Sequence, residues 1–188
     1  ASDVYKRQIL MVLEFPVPFA PSFYGLDFSE LPALIGAFAY GPVAGVMIEF
    51  CKILIKLVLK PSSTAFVGEL ANFSISCMLV LPASVIYLFK KSRKQAILGT
   101  VVGTLIMTAF GSCFNAIYLL PKFSELYGIP LDAIIGMGTA INPAIHSISG
   151  LVLMCVVPLN LLKGGLVSLI TILVYKKLSP ILKAAHKQ

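Results

Sequence analysis

Charged residues are scarce in this sequence. Lys, Arg, Asp and Glu make up 12% of the 188 residues, whereas 58% are hydrophobic, and the mean hydropathy is +0.94. A soluble domain carries about twice that share of charged residues. A chain so poor in charge lacks the polar side chains that a water-exposed surface needs, so we expect an integral membrane protein.

The residue patterns of metal, disulfide and nucleotide sites are also missing. Cys51, Cys77, Cys113 and Cys155 stand singly in apolar runs, with no CxxC pair and no histidine at ligand spacing. We expect them to be small apolar side chains rather than metal ligands or disulfide partners. No GxxxxGK[ST] motif occurs, so the chain is not expected to hold ATP phosphates, and no HExxH or acidic-triad pattern supports an intramembrane protease. We expect a chain that is not an enzyme.

What the sequence does contain is a series of long apolar runs. They cover residues 9–19, 31–40, 43–59, 66–89, 96–120 and 160–175. Runs without period-two alternation favour helices over a barrel, because backbone polar groups in lipid must be satisfied internally. We predict an all-α bundle of six transmembrane helices, forming one domain over residues 1–188, with the spans themselves as the membrane anchor.

Two segments fit this pattern poorly. The stretch 131–157 is apolar enough to span, but a span there would move the lysine-rich tail to the outer side. We therefore interpret it as an outer-face or re-entrant helical segment, interrupted at Asn142 and Pro143. The first run is too short to cross a membrane, so we expect a truncated first helix in which residues 1–8 are foreign sequence.

The basic residues predict the orientation of the bundle. Cytoplasmic segments of membrane proteins are enriched in Lys and Arg. The residues assigned to that side are Lys6, Arg7, Lys90, Lys91, Arg93, Lys94, Lys176, Lys177, Lys183 and Lys187. We expect a multi-pass protein of the cell membrane with both termini in the cytoplasm, and we attribute the net charge of +7 to this topology rather than to a nucleic-acid partner.

Polar side chains cluster at the predicted outer ends of four spans. The clusters are Asp27, Ser29 and Glu30; Glu69 and Asn72; Asn115 and Tyr118; and Asn160 and Lys163. An i, i+3 spacing places two side chains on one helical face, so inward-facing pairs are expected. Lys163 is notable because a cation in the first turn of a helix is disfavoured by the helix dipole, and we expect a partner near it.

Structural roles are alternatives for several of these residues. Asp27 or Ser29 can cap the second helix, and Asn160 can cap the sixth. Glu69 can balance the charge of Lys163 as an ion pair.

Other polar residues are expected to be structural. Glu49 and Lys52, at i, i+3 in the third span, are expected to compensate each other, while Lys56 reaches the membrane surface. His146 is expected to be an outer-segment residue, because no serine, cysteine or carboxylate forms a motif with it.

Four motifs, in this order, carry a resemblance to a known family. They are "FPVPFAPSFYGLDFSELPALIGAFAYGPVAGVMIEF", "GELANF", "FNAIYLLP" and "PLNLLKG". From about residue 9 to the end, the sequence resembles the riboflavin-binding S components of energy-coupling factor (ECF) vitamin transporters. The resemblance implies the six-helix S-component fold and an outward-facing riboflavin pocket roofed by the loop after the first helix. Its implied partners are the lipid bilayer, a transmembrane coupling subunit and two subunits that hydrolyse ATP.

The resemblance also implies the binding residues. They are Asn160 and Lys163 as hydrogen-bonding groups, Glu69, Asn72, Asn115 and Tyr118 as the wall, and Leu26 and Asp27 in the roof. Riboflavin is a flat, largely apolar ring system with one amide-like edge, which suits apolar walls with a few fixed donors and acceptors. The start of the chain, "ASDVYKRQILM", lacks the small-residue pattern by which the first helix of this family docks its coupling subunit, which puts coupling in question.

Three alternatives stay open. The chain can be an S component for another vitamin, such as thiamine, biotin or a folate, although a cationic vitamin would favour carboxylates in the pocket. It can be an intramembrane enzyme that uses His146 and nearby carboxylates. It can be a structural membrane subunit without a small-molecule ligand, which would leave Lys163 unexplained.

Overall fold

The structure is a computed structural model that describes residues 15–21, 24–26, 28–59, 62 and 65–184. Most of the predicted first helix and the predicted roof residue Asp27 lie outside these residues, as do the proposed foreign residues 1–8.

The described elements begin with a short hairpin and continue as helices. Strands β1 (Phe15–Pro16) and β2 (Gly25–Leu26) pair antiparallel, with Phe15 opposite Leu26. The helices are α1 (Glu30–Tyr40), α2 (Pro42–Leu59), α3 (Val67–Phe89), α4 (Arg93–Phe114), the π-helical turn π1 (Asn115–Leu119), α5 (Leu120–Tyr127), α6 (Leu131–Ile141), α7 (Ile148–Leu151), the π-helical turn π2 (Val152–Val156) and α8 (Val157–Ala184).

The helical membrane class predicted from the apolar runs is confirmed. Within the described ranges, three helices are long and apolar enough to cross a membrane: Val67–Phe89, Arg93–Tyr127 and Ile148–Val174. Two shorter apolar helices, Glu30–Tyr40 and Leu131–Ile141, accompany them. Helix α1 has 11 residues and therefore rises only about 16 Å. Its first residue lies inside the bundle rather than at the end of a full span.

The last helix starts earlier than the sequence indicates. Ser147 accepts a hydrogen bond from the Gly150 amide at 3.1 Å and caps a helix that runs without a break from Ile148 to Ala184. The prediction that Asn160 and Lys163 open this helix is wrong, because both lie several turns inside it. The proposed cap role of Asn160 and the unfavourable dipole at Lys163 therefore do not apply.

The stretch 131–157 divides into two parts. Its predicted interruption at Asn142 and Pro143 is confirmed, because α6 ends at Ile141 and helix resumes only at Ile148. The prediction of one separate outer segment is wrong, since residues 148–157 belong to the last helix. Ser147 caps a helix that begins with the apolar run 148–157. This helix continues past residue 160 without a break.

Each π-helical turn ends two residues before a proline. Pro121 follows π1, and Pro158 follows π2. A proline has no N–H for the carbonyl four residues earlier and its ring clashes with that group. In both cases that carbonyl lies within the π turn, where the wider i to i+5 bonding accommodates it. The helix that was expected to end near Leu120 therefore continues through Pro121 to Tyr127.

Glycines allow α3 and α4 to pack closely. A Cβ atom on Gly99 would lie 2.5 Å from the Ala83 carbonyl oxygen, and one on Gly103 would lie 2.5 Å from that of Leu79. The two glycines form a GxxxG pattern, which brings helix backbones together in membrane proteins.

The hairpin packs against the helices around α6 and π2. Val17, Ala20 and Leu26 belong to a buried apolar cluster with Ile134 of α6 and Leu151 of α7. The segment that precedes α1 therefore covers the helices on the α6 and π2 side.

We expect Gly103→Val to destabilise the bundle by about 1–3 kcal/mol, because its side chain would press on the backbone of α3. Thermal loss of helical circular dichroism in detergent would measure this. Gly136→Val is the matched control, since nothing lies within 4 Å of a Cβ atom there. Equal melting temperatures for the two variants would contradict the close packing.

Candidate functional site

A fully buried carboxylate stands at the centre of the bundle. Glu30, the first residue of α1, has no exposed surface. Its Oε1 atom lies 2.6 Å from Nζ of Lys163 on α8 and accepts a hydrogen bond from the hydroxyl of Ser76 on α3 at 2.7 Å. Nζ of Lys52 on α2 lies 3.6 Å from the same oxygen. One carboxylate thus contacts three other helices.

A second ion pair extends this arrangement. Nζ of Lys52 lies 2.6 Å from Oε2 of Glu49 and donates to Oδ1 of Asn72 at 3.2 Å. The predicted contact between Glu49 and Lys52 is confirmed, although Lys52 also reaches α1 and α3. We refer to Glu30, Glu49, Lys52, Asn72, Ser76 and Lys163 as the charge network.

The charge network lies well inside the bundle. Glu30 is ten residues before Tyr40, and Lys52 is ten residues after Pro42, on two antiparallel helices that meet at Gly41. Both residues are therefore about 15 Å from that turn. Glu30 begins its helix as the sequence predicted, although α1 is short. The prediction that Lys163 lies at a helix end was wrong, because the last helix begins early.

Two asparagines meet beside Gly111 of α4. Asn115 donates from Nδ2 to the Gly111 carbonyl at 2.7 Å. A Cβ atom on Gly111 would lie 2.8 Å from Nδ2 of Asn160, so this amide packs directly on the glycine. Asn160 is buried, and its Nδ2 has no hydrogen-bond partner among the described residues. Asn160 also lies one turn from Lys163 on the same helical face, as predicted.

The hairpin contacts this region through Tyr24. Its hydroxyl donates to Oδ1 of Asn115 at 2.9 Å. Burial raises the pKa of Tyr24, so the hydroxyl remains a donor at neutral pH. Leu26, predicted for the roof, is buried in the apolar cluster under the same segment.

Tyr118 points away from Asn115. It is 40% exposed and packs on Phe114 with ring centroids 5.1 Å apart, whereas Asn115 is buried. The prediction that these two residues share a face is wrong. Both lie in π1, where each turn holds more residues than an α-helix does, so an i, i+3 spacing no longer aligns side chains.

Glu69 lies at the start of α3, where the sequence placed it. It accepts a hydrogen bond from the Ser62 hydroxyl at 2.8 Å. The preceding residues Ala65 and Phe66 both have positive φ, an uncommon backbone conformation for side chains other than glycine and asparagine. Lys163 pairs with Glu30 in the structure.

The sequence analysis gave no binding role to Tyr24, Glu30 and Ser76, and it treated Glu49 and Lys52 as structural. The available signal for Glu30 was an acidic residue at the edge of an apolar run, which is costly without a partner. For Tyr24 and Ser76 no signal existed, because tyrosine and serine are common at loops and in helices.

The site offers hydrogen-bonding groups among apolar helices. Nδ2 of Asn160 and Oε2 of Glu30 are buried without a partner in the described part of the chain. The side chains of Lys163 and Lys52 keep 11% and 16% exposure. The described residues contain no cluster of His, Cys, Asp or Glu suited to a metal ion. Such groups among apolar helices suit a polar small molecule.

Comparison with known proteins agrees with the sequence resemblance. Residues 8–175 match the family described as "ECF transporter, substrate-specific component". Riboflavin transporter RibU of Staphylococcus aureus (strain TCH60) is 33% identical over 175 residues, which cover 93% of this chain and 85% of the relative. Riboflavin transporter FmnP of Bacillus subtilis (strain 168) is 31% identical over 175 residues, with 92% and 85% covered.

A solved structure shares the fold. It is described as "Structure and mechanism of the S component of a bacterial ECF transporter" and matches with a TM-score of 0.68 and 32% sequence identity, covering 96% of this chain and 99% of the other. The family and these relatives are transporter components, which confirms that the chain is not an enzyme. The chain belongs to the substrate-specific S components of ECF transporters.

Proposed function

We propose that this chain captures riboflavin and acts as the substrate-specific subunit for its uptake. The observation that carries this proposal is the position of the buried polar groups inside an apolar bundle. Asn115 and Asn160 both lie beside Gly111, and Lys163, one turn from Asn160, pairs with Glu30 of the charge network. The names of the two relatives at 31–33% identity support the choice of ligand.

The chemistry of the groups suits a flavin. Asn160 offers a donor and an acceptor, and Lys163 offers donors, so the pair can bind the amide-like edge of the ring. Asn72 and Asn115 supply further polar groups on the wall.

The remaining predicted residues take outer positions in this proposal. Leu26 and Asp27 form the roof, and Glu69 and Tyr118 lie at the margin of the site.

We further propose the partners and the orientation. A transmembrane coupling subunit and two ATP-hydrolysing subunits supply the energy, since the sequence has no motif that holds ATP phosphates. The basic residues support cytoplasmic termini, with the hairpin on the outer side.

An S component for thiamine, biotin or a folate is the remaining second candidate. A cationic vitamin such as thiamine would favour free carboxylates, but both carboxylates of the charge network contact lysines. The chain's membership of a substrate-binding family disfavours a purely structural role.

Purification from a riboflavin-containing medium tests the ligand directly. We expect the protein in mild detergent to carry a visible flavin absorption band near stoichiometric occupancy. A colourless protein that also fails to quench the fluorescence of added riboflavin would contradict the proposal.

Lys163→Met keeps the length of the side chain and removes its donors. We expect riboflavin affinity to fall by at least about 1 kcal/mol, roughly fivefold, the scale of a lost charged hydrogen bond. Fluorescence quenching in detergent would measure it. Lys122→Met is the control, because Lys122 pairs with Glu125 on the surface. Unchanged affinity in the Lys163 variant would remove that residue from the site.

Tyr24→Phe removes the hydrogen bond that joins the hairpin to Asn115. The bond is worth about 0.5–1.5 kcal/mol, so we expect riboflavin to dissociate up to about tenfold faster from a less firmly held roof. Stopped-flow fluorescence would measure the rate, with Tyr40→Phe, which is exposed, as the control. A dissociation rate equal to that of the control would contradict the roof role.

A further inference from the structure

Lys52 reaches Asn72 from the neighbouring helix. Nζ of Lys52, on α2, donates a hydrogen bond to Oδ1 of Asn72, on α3, at 3.2 Å. Oε2 of Glu49, one turn earlier on α2, lies 2.6 Å from the same nitrogen. Glu49 has no exposed surface, and the side chain of Lys52 is 16% exposed. The ammonium group is therefore held between a buried carboxylate on its own helix and an amide on the next.

This contact determines which way the amide of Asn72 faces. An ammonium group has donors and no acceptor, whereas an asparagine side chain has an oxygen on one side and an NH₂ group on the other. The oxygen must face Lys52, so Nδ2 faces away from it. Within the part of the chain that the structure describes, the side-chain hydrogen bonds of Asn72 all end on Oδ1. The N–H donors of Nδ2 are thus available to another molecule.

Asn72 lies on the face of α3 that borders the other binding groups. A Cβ atom on Gly111 would lie 3.4 Å from Cγ2 of Ile75 and 2.8 Å from Nδ2 of Asn160. Ile75 follows Asn72 by three residues, and Ser76 of the charge network follows it by four. Residues three and four apart share a helical face. Asn72 therefore belongs to the same wall, about one turn from the place where the asparagine amides meet.

Stability alone does not account for an ion pair at this place. Replacing a buried ion pair with apolar residues of similar volume is often neutral or stabilising, because the attraction barely offsets the loss of hydration. Compensation of Glu49 by Lys52 explains why the two charges occur together, but not why either lies inside the bundle. Orientation of a binding group supplies a reason.

We propose that Lys52, held by Glu49, is a positioning residue of the riboflavin site. It turns the amide of Asn72 so that Nδ2 donates to an acceptor of the ligand, which is a ring carbonyl, a ring nitrogen or a hydroxyl oxygen. This inference rests on the proposed function, because it concerns the wall of the same site.

The test replaces the ion pair as a unit. Lys52→Met alone would leave the buried carboxylate of Glu49 without its cation, so Lys52→Met is combined with Glu49→Gln. Riboflavin affinity would be measured by fluorescence quenching in detergent for this paired replacement in the unmodified chain and in Asn72→Ala. Lys122→Met with Glu125→Gln is the matched control, since it also removes an i, i+3 ion pair, but on the surface.

The effect of the paired replacement should depend on Asn72. Without Lys52 the amide is free to turn, and we expect riboflavin to bind about two- to tenfold more weakly, the range for one hydrogen bond. Asn72→Ala should weaken binding by a similar factor. Adding the paired replacement to Asn72→Ala should change affinity by less than about twofold, because the group through which Lys52 acts is already gone.

A purely structural role gives a different result. Loss of packing would weaken binding by the same factor with and without Asn72, and that outcome would overturn the inference. Asn72→Ala with unchanged affinity would overturn it as well. If the unmodified chain binds no riboflavin in the same assay, the proposed function fails instead.

Asn72→Asp keeps the test decisive if the paired replacement does not fold. A carboxylate still accepts from Lys52, so the contact between α2 and α3 is kept, but it has no N–H to donate to a ligand. We expect riboflavin binding to be at least as weak as in Asn72→Ala. Affinity equal to that of the unmodified chain would show that the ligand faces the oxygen of residue 72, which is opposite to the orientation inferred.

Discussion

The ion pair between Glu30 and Lys163 is the contact around which the interior is arranged. Removing one partner of a buried pair leaves an uncompensated charge, which costs about 3–5 kcal/mol. The pair joins the first described helix to the last, and Ser76 attaches α3 to the same oxygen. The helices cannot separate here without exposing a charge to an apolar surrounding, so this contact constrains the position of every binding group near it.

Irregular helical turns and one glycine determine where the other binding groups lie. The π turns ahead of Pro121 and Pro158 let both long helices continue where a proline would otherwise interrupt them. The turn at Asn115 directs this amide to Gly111 while Tyr118 faces outward. Close packing at Gly111 then brings Asn160 against α4. The site therefore depends on backbone irregularities and on a missing side chain as much as on its polar residues.

Sequence reasoning succeeded for stretches of regular helix. Long apolar runs predicted helices, and the i, i+3 spacing placed Asn160 and Lys163 on one face because that part of α8 is regular helix. The same rule failed for Asn115 and Tyr118, since a π turn depends on how the chain accommodates Pro121. The apolar runs also predicted that the last helix starts at residue 160, whereas it starts after the Ser147 cap. Ordered motifs identified the family, although no single motif was sufficient.

By itself, the sequence determined that this is a helical membrane protein with a few costly polar residues in its apolar runs, because scarcity of charge and length of run are properties of the chain alone. It could not determine which carboxylate meets Lys163. Glu30, Glu49 and Glu69 were all available, and the choice depends on the short length of α1 and the early start of the last helix, which bring residues 30 and 163 to one depth. Only tertiary structure decides this, because a salt bridge between distant residues forms where packed helices place the two charges.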